Sequence, residues 1–122
     1  TCATSFAQAG GVAALEGPQD AIVDMVQAWD RRRRLMSDGI SAIKGLSLPL
    51  PERAFYAFVD GRETGLDSAE LAAKMLDVAH VAVVPGIAFG ESGEGHVRMS
   101  FATGDDALQQ TIERLTNLFG AR

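Results

Sequence analysis

Apolar residues recur at three- and four-residue steps through Ile22, Met25, Val26, Trp29, Met36, Ile40 and Ile43. That spacing places them along one side of a helix. Gly-Pro-Gln-Asp at 17–20 opens it, because proline suits a first helical turn where its missing N–H is not needed. Gly45 and Pro49 mark its end, giving a helix of about 25 residues, long for a globular protein. Upstream, residues 5–16 are Ala-rich and predict a short helix weakened by Gly10 and Gly11. Downstream, residues 54–60 predict a strand with Tyr56 and Phe58 on one face and Phe55, Ala57 and Val59 on the other.

Asp67 and Glu70 have the spacing of a capping box, so a helix follows to about Val78. His80–Val84 is nearly all apolar and predicts a short strand that is central or covered on both faces. Pro85-Gly86 stops it. Residues 96–101 alternate, with Val97, Met99 and Phe101 facing one way and His96, Arg98 and Ser100 the other. A last helix begins near Asp105, carries Leu108, Ile112, Leu115 and Phe119 on one stripe, and ends at Gly120. The predicted order is α–α–β–α–β–β–α, its last two strands pairing antiparallel. The expected fold is α+β: a small mixed, mainly antiparallel sheet, helices packed on one face, preceded by a long linking helix.

At 122 residues and 47% hydrophobic content the chain is one domain's worth with enough apolar side chains for a core. A net charge of −5 argues against a general nucleic-acid binder. The Arg31–Arg34 run wraps a full turn, which points to a solvated helix surface more than to a single basic face. One cysteine, Cys2, makes no internal disulfide and fits a reducing compartment. No apolar run approaches the ~18 residues of a membrane span, and no stretch reads as a secretory signal. The first residues are Thr-Cys-Ala-Thr, without methionine, so a trimmed product or part of a longer chain is expected.

Arg98 is the foremost candidate for chemistry. Its guanidinium points away from the core face, where it would either grip a carboxylate through two parallel N–H···O bonds or pair with a local acid such as Glu91 or Glu94. The loop Gly-Ile-Ala-Phe-Gly-Glu-Ser-Gly-Glu-Gly lacks the spacing of a dinucleotide loop and the Gly-Lys-Ser/Thr ending of a P-loop, and reads as a connector. Tyr56 and Phe58 either pack or line a pocket. His80 and His96 have no second ligand at metal spacing, Lys44 and Lys74 read as surface residues, and the acids form no recognisable dyad.

The segments SFAQAGGVAALEGPQD, LPLPERAFYAFVD, VAVVPGIAFGESGEGHVRMSFAT and LQQTIERL resemble, in order, the C-terminal portion of fold type I, class I/II pyridoxal-phosphate-dependent aminotransferases, aspartate aminotransferase-like. The most specific part is Pro-Gly-x-x-Phe-Gly followed by Gly-x-x-x-Arg-x-Ser-Phe. The resemblance implies that Arg98 is the clamp for the substrate α-carboxylate, with Tyr56 and Phe89 as secondary substrate-binding residues. It implies that residues 1–17 end a large cofactor domain and 18–122 form the small domain led by the linking helix. Arg53 departs from the family glycine before Ala-Phe-Tyr, and Arg34 stands where the family has an acid.

The family's Schiff-base lysine lies upstream in a Ser-x-x-Lys motif that this chain lacks, so it supplies no catalytic and no cofactor-binding residue of its own. Pyridoxal phosphate is expected in the full-length parent and not on this portion, which alone is expected to be inactive. The implied partners are an amino-acid or 2-oxo-acid substrate, the upstream domain and a second subunit of a cytoplasmic homodimer, with no nucleic acid, membrane or metal. An alternative implication is the aminotransferase-like sensor domain of a bacterial transcription regulator.

Overall fold

The computed structural model describes residues 2–122. Two helices come first, α1 at Ser5–Glu16 and α2 at Asp20–Ser41. Strand β1 spans Tyr56–Asp60, helix α3 Ser68–Ala79, strand β2 Val84–Pro85, strand β3 His96–Ser100, and helix α4 Asp105–Phe119. The order matches the periodicity reading, and the sheet is antiparallel throughout.

Strand order is β1-β3-β2, so β3 is the central strand. Ala57 pairs with Met99 and Val59 with Val97, and all four side chains are buried on the face that the helices cover. From α2, Met36 and Ile40 join them, followed by Ile43, Leu46 and Leu48 in the segment leading to β1. Leu71 and Met75 come from α3, Leu108 and Leu115 from α4, and Phe101 from just beyond β3. The core therefore draws on residues 36–115.

The arginine run is divided among partners. Arg32 Nε donates to Asp105 at 2.6 Å and ties α2 to the start of α4. Arg33 bonds Asp30 and the Pro51 carbonyl, and Arg34 Nε reaches Asp30 at 3.0 Å. These three arginines serve the helix and its junctions, as a solvated surface would use them.

The expected central strand at His80–Val84 is not found. His80 adopts a left-handed conformation, φ 55°, and caps α3. The Val81 N–H reaches back to the Met75 carbonyl at 3.0 Å, and the Val81 side chain is buried. This is the hydrogen-bonded ending in which an apolar residue beyond the cap packs back on the helix. Only Val84 and Pro85 then remain for pairing, and they lie at the sheet edge. Burial makes the run apolar, but its first half belongs to a helix ending and not to a strand.

Helix α1 buries none of its residues. Phe6 and Leu15 are 79% and 84% exposed, and Ile22, Val23 and Val26 at the start of α2 are also open. No helix is long and apolar enough to cross a membrane among the described residues.

Candidate carboxylate-binding site

The core alternation of β3 determines where Arg98 points. With Val97 and Met99 buried beneath the helices, the Arg98 side chain emerges on the open face of the sheet. Cross-strand neighbours on that face are Phe58 of β1 and Val84 of β2, with Tyr56 on the diagonal. The guanidinium carbon lies 4.4 Å from the centre of the Tyr56 ring and 4.8 Å from that of Phe89. Both distances are within cation–π range.

Neither local acid takes the arginine. Among the described residues Arg98 forms no salt bridge, and Glu94 is committed elsewhere. Both Glu94 oxygens accept bonds: Oε1 from the Ser68 N–H at 2.7 Å and the Gly95 N–H at 2.9 Å, Oε2 from the Ser68 hydroxyl at 3.0 Å. The Ser68 N–H leads these in holding the Glu94 carboxyl below the usual carboxylate range. Asp67 accepts the next two N–H groups of α3, and Glu70 answers from its side chain, completing the capping box.

The glycine-rich segment is a folded connector. It makes two 3-10 turns, Gly86–Phe89 and Glu91–Gly93. The Ile87 N–H donates to the Ser68 hydroxyl at 3.3 Å, which fixes the first turn to the start of α3. The turn carries Phe89 to Arg98 and to an edge-on contact with Phe58, 6.1 Å between ring centres. Sequence reasoning considered Glu94 as an acid for Arg98 and missed its actual task. The available signal was its place in Gly-Glu-Gly, where a carboxylate among free backbone N–H groups finds donors.

A cavity of about 200 Å³ opens beside the guanidinium, lined by Tyr56, Ala82, Val83, Val84, Arg98 and Ser100. Phe89 touches the arginine from outside that lining. Arg98 and Tyr56 are thus brought to one cavity, and Phe89 to its cation. A second hollow of about 260 Å³ lies at the α2–β1 junction between Trp29, Arg33 and Arg53. Arg53 lines this hollow and not the cavity beside Arg98.

The remaining candidates fall elsewhere. His96 Nδ1 is 2.9 Å from the Glu94 carbonyl, and its ring stacks on Phe58. No cluster of metal-ligating side chains occurs among the described residues. Lys74 lies 5.6 Å over the Phe119 ring on the helical layer, and the Lys44 backbone N–H donates to Gly120.

An unpaired guanidinium held beside a small cavity can bind one carboxylate in a bidentate way. Comparison with known proteins gives the family of the chain. Residues 1–115 match the family described as aminotransferase class I and II. Aspartate aminotransferase of Rhizobium meliloti is 39% identical over 127 residues, covering 95% of this chain and 30% of that protein. That of Pyrococcus abyssi is 40% identical, covering 94% and 30%. The aromatic aminotransferase structure from Pyrococcus horikoshii superposes with a TM-score of 0.91 at 39% identity, over 96% of this chain and 32% of that one. The chain therefore spans about a third of the length of the proteins it resembles.

Proposed function

The chain belongs to the class I and II aminotransferases, and from that premise we propose that it is the C-terminal, substrate-carboxylate-binding portion of an enzyme that moves an amino group between an amino acid and a 2-oxo acid. The observation that carries this reading is Arg98. It projects from the central strand, flanked by two aromatic rings, with both nearby carboxylates left out of its coordination.

Arg98 grips the α-carboxylate of the substrate through two charge-assisted N–H···O bonds. The grip fixes the orientation of the substrate's Cα as well as its affinity, because a planar fork meets a planar carboxylate in one way. Tyr56 borders the same cavity and limits where the carboxylate can sit. Phe89 covers the guanidinium from the loop and narrows its access to water.

Pyridoxal phosphate supplies the electron sink for this chemistry when bound to the whole enzyme. The residues of this chain do not form its seat. The two lysines lie away from the Arg98 face, one over Phe119 and one beside Gly120. The cofactor's lysine belongs to the upstream domain, and the chain alone is inactive. Residues 1–17 close that large domain and 18–122 make the small domain. The unburied, largely apolar α1 supports this division, since a helix apolar on all sides is built to be covered.

The test is Arg98→Ala in the full-length enzyme. Losing two charged hydrogen bonds, each worth about 1.5 to 3 kcal/mol, lowers kcat/KM for the amino donor by at least about 100-fold. An efficiency within about threefold of the parent would overturn the assignment.

A further inference from the structure

A hydrogen-bonded network begins at Glu94, four residues before Arg98, and reaches the start of α3 at Ser68. We propose that Glu94 is a positioning residue for the carboxylate clamp, acting through Ser68 and the Gly86–Phe89 turn to hold Phe89 against the Arg98 guanidinium. The proposal rests on the reading of Arg98 as the clamp.

Each link is a contact. The Glu94 carboxylate accepts hydrogen bonds from both the N–H and the hydroxyl of Ser68, at 2.7 and 3.0 Å. While its hydroxyl donates to Glu94, the Ser68 oxygen accepts a hydrogen bond from the Ile87 N–H at 3.3 Å. The hydroxyl is thereby oriented, because a serine oxygen that donates to a carboxylate presents its lone pairs to other donors. Ser68 is fully buried at the start of α3, so this point does not move with the loop. Ile87 lies in the turn that carries Phe89, and the Gly90 N–H closes that turn on the Ile87 carbonyl at 3.0 Å. Phe89 then meets the Arg98 cation at 4.8 Å.

The alternative use of Glu94 would defeat the clamp. A carboxylate bonded to Arg98 would occupy the fork that the substrate needs. By giving Glu94 three donors of its own, the fold keeps an acid four residues away on the chain from competing, and converts it into an anchor. Tyr56 flanks the guanidinium from β1, whose position is set by the sheet, whereas Phe89 depends on a loop. The loop therefore needs the anchor and the strand does not.

Two readouts test this. In the 122-residue chain, the Arg98 Nε–H proton resonance reports its distance from the Phe89 ring. Glu94→Ala is expected to move it toward the position found in Phe89→Leu. Glu94→Gln keeps an amide oxygen for the Ser68 and Gly95 N–H donors, and is expected to restore it. In the full-length enzyme, Glu94→Ala lowers the preference for an amino acid over the corresponding amine without a carboxylate by about tenfold, with Glu94→Gln within about threefold of the parent. Glu91→Gln, at an acid whose side chain has no partner among the described residues, leaves both readouts alone. An unmoved Arg98 resonance in Glu94→Ala overturns the proposal, and so does an unchanged preference where Arg98→Ala destroys it. If Arg98→Ala itself leaves the preference intact, the clamp reading fails, while a moved resonance still stands for the anchor.

Discussion

Gly86 and Gly93 are pressed together backbone to backbone. A Cβ on Gly86 would lie 2.0 Å from the Gly93 carbonyl oxygen, and a Cβ on Gly93 would lie 2.1 Å from that of Gly86. Neither atom can yield without moving the main chain. The glycines of this loop therefore serve its own folding. Gly86→Ala and Gly93→Ala are expected to destabilise the chain by about 1 to 3 kcal/mol, the usual cost of overpacking. Gly10→Ala, with open space around it, leaves the core unfolding midpoint unchanged. Urea denaturation of the three variants checks the contrast, and an unaffected Gly93→Ala would contradict the packing account.

Asp67 accepts hydrogen bonds from the N–H groups of Ala69 and Glu70 at 2.9 and 2.8 Å. Asp67→Ala is expected to cost about 1 kcal/mol by exposing these donors at the start of α3. The same turn holds Ser68, so the variant also shifts the amide resonances of Ile87 and Glu94. Chemical denaturation followed by amide spectra measures both effects.

Asp60 has its carboxyl lowered to about 2, chiefly by its hydrogen bonds with the Arg62 side chain. The folded chain then holds this proton less readily than the unfolded chain. The resulting stability is complete above about pH 4 and is lost as pH falls toward about 2. Arg62 is largely exposed, so screening limits the contribution to about 1 kcal/mol or less. Asp60→Asn should be less stable than the parent near neutrality, and the two urea midpoints should converge between about pH 4 and 2.

Helix α1 contributes no buried residue, so removing residues 1–17 from the chain should leave the midpoint of core unfolding within about 0.5 kcal/mol of its original value. It should also reduce binding of a hydrophobic dye, since Phe6 and Leu15 leave with it. A collapse of the core on this deletion would mean that α1 packs on the core of residues 36–115 after all.

Local signals carried much of this structure. The capping box at Asp67 and Glu70, the alternation that buries Val97 and Met99 and turns Arg98 outward, and the stripe on α4 are each written in neighbouring residues. His80–Val84 was illegible for a physical reason: burial makes a helix ending and a strand equally apolar. The Gly95 bond to Glu94 is local, but the anchor was hidden because its other partner, Ser68, lies 26 residues away at the start of α3, a distance that sequence spacing does not bridge. The rings around Arg98 were half visible. Tyr56 shares a predictable strand face, while Phe89 arrives on a turn whose course depends on the Gly86–Gly93 contact.

The most direct test is a crystal structure of the full-length enzyme with a substrate-like monocarboxylate. The account predicts two parallel bonds of about 2.8 Å from the Arg98 guanidinium to the two carboxylate oxygens, with Tyr56 and Phe89 still against the cation. A carboxylate bound at another group, with Arg98 out of hydrogen-bonding reach, would contradict it.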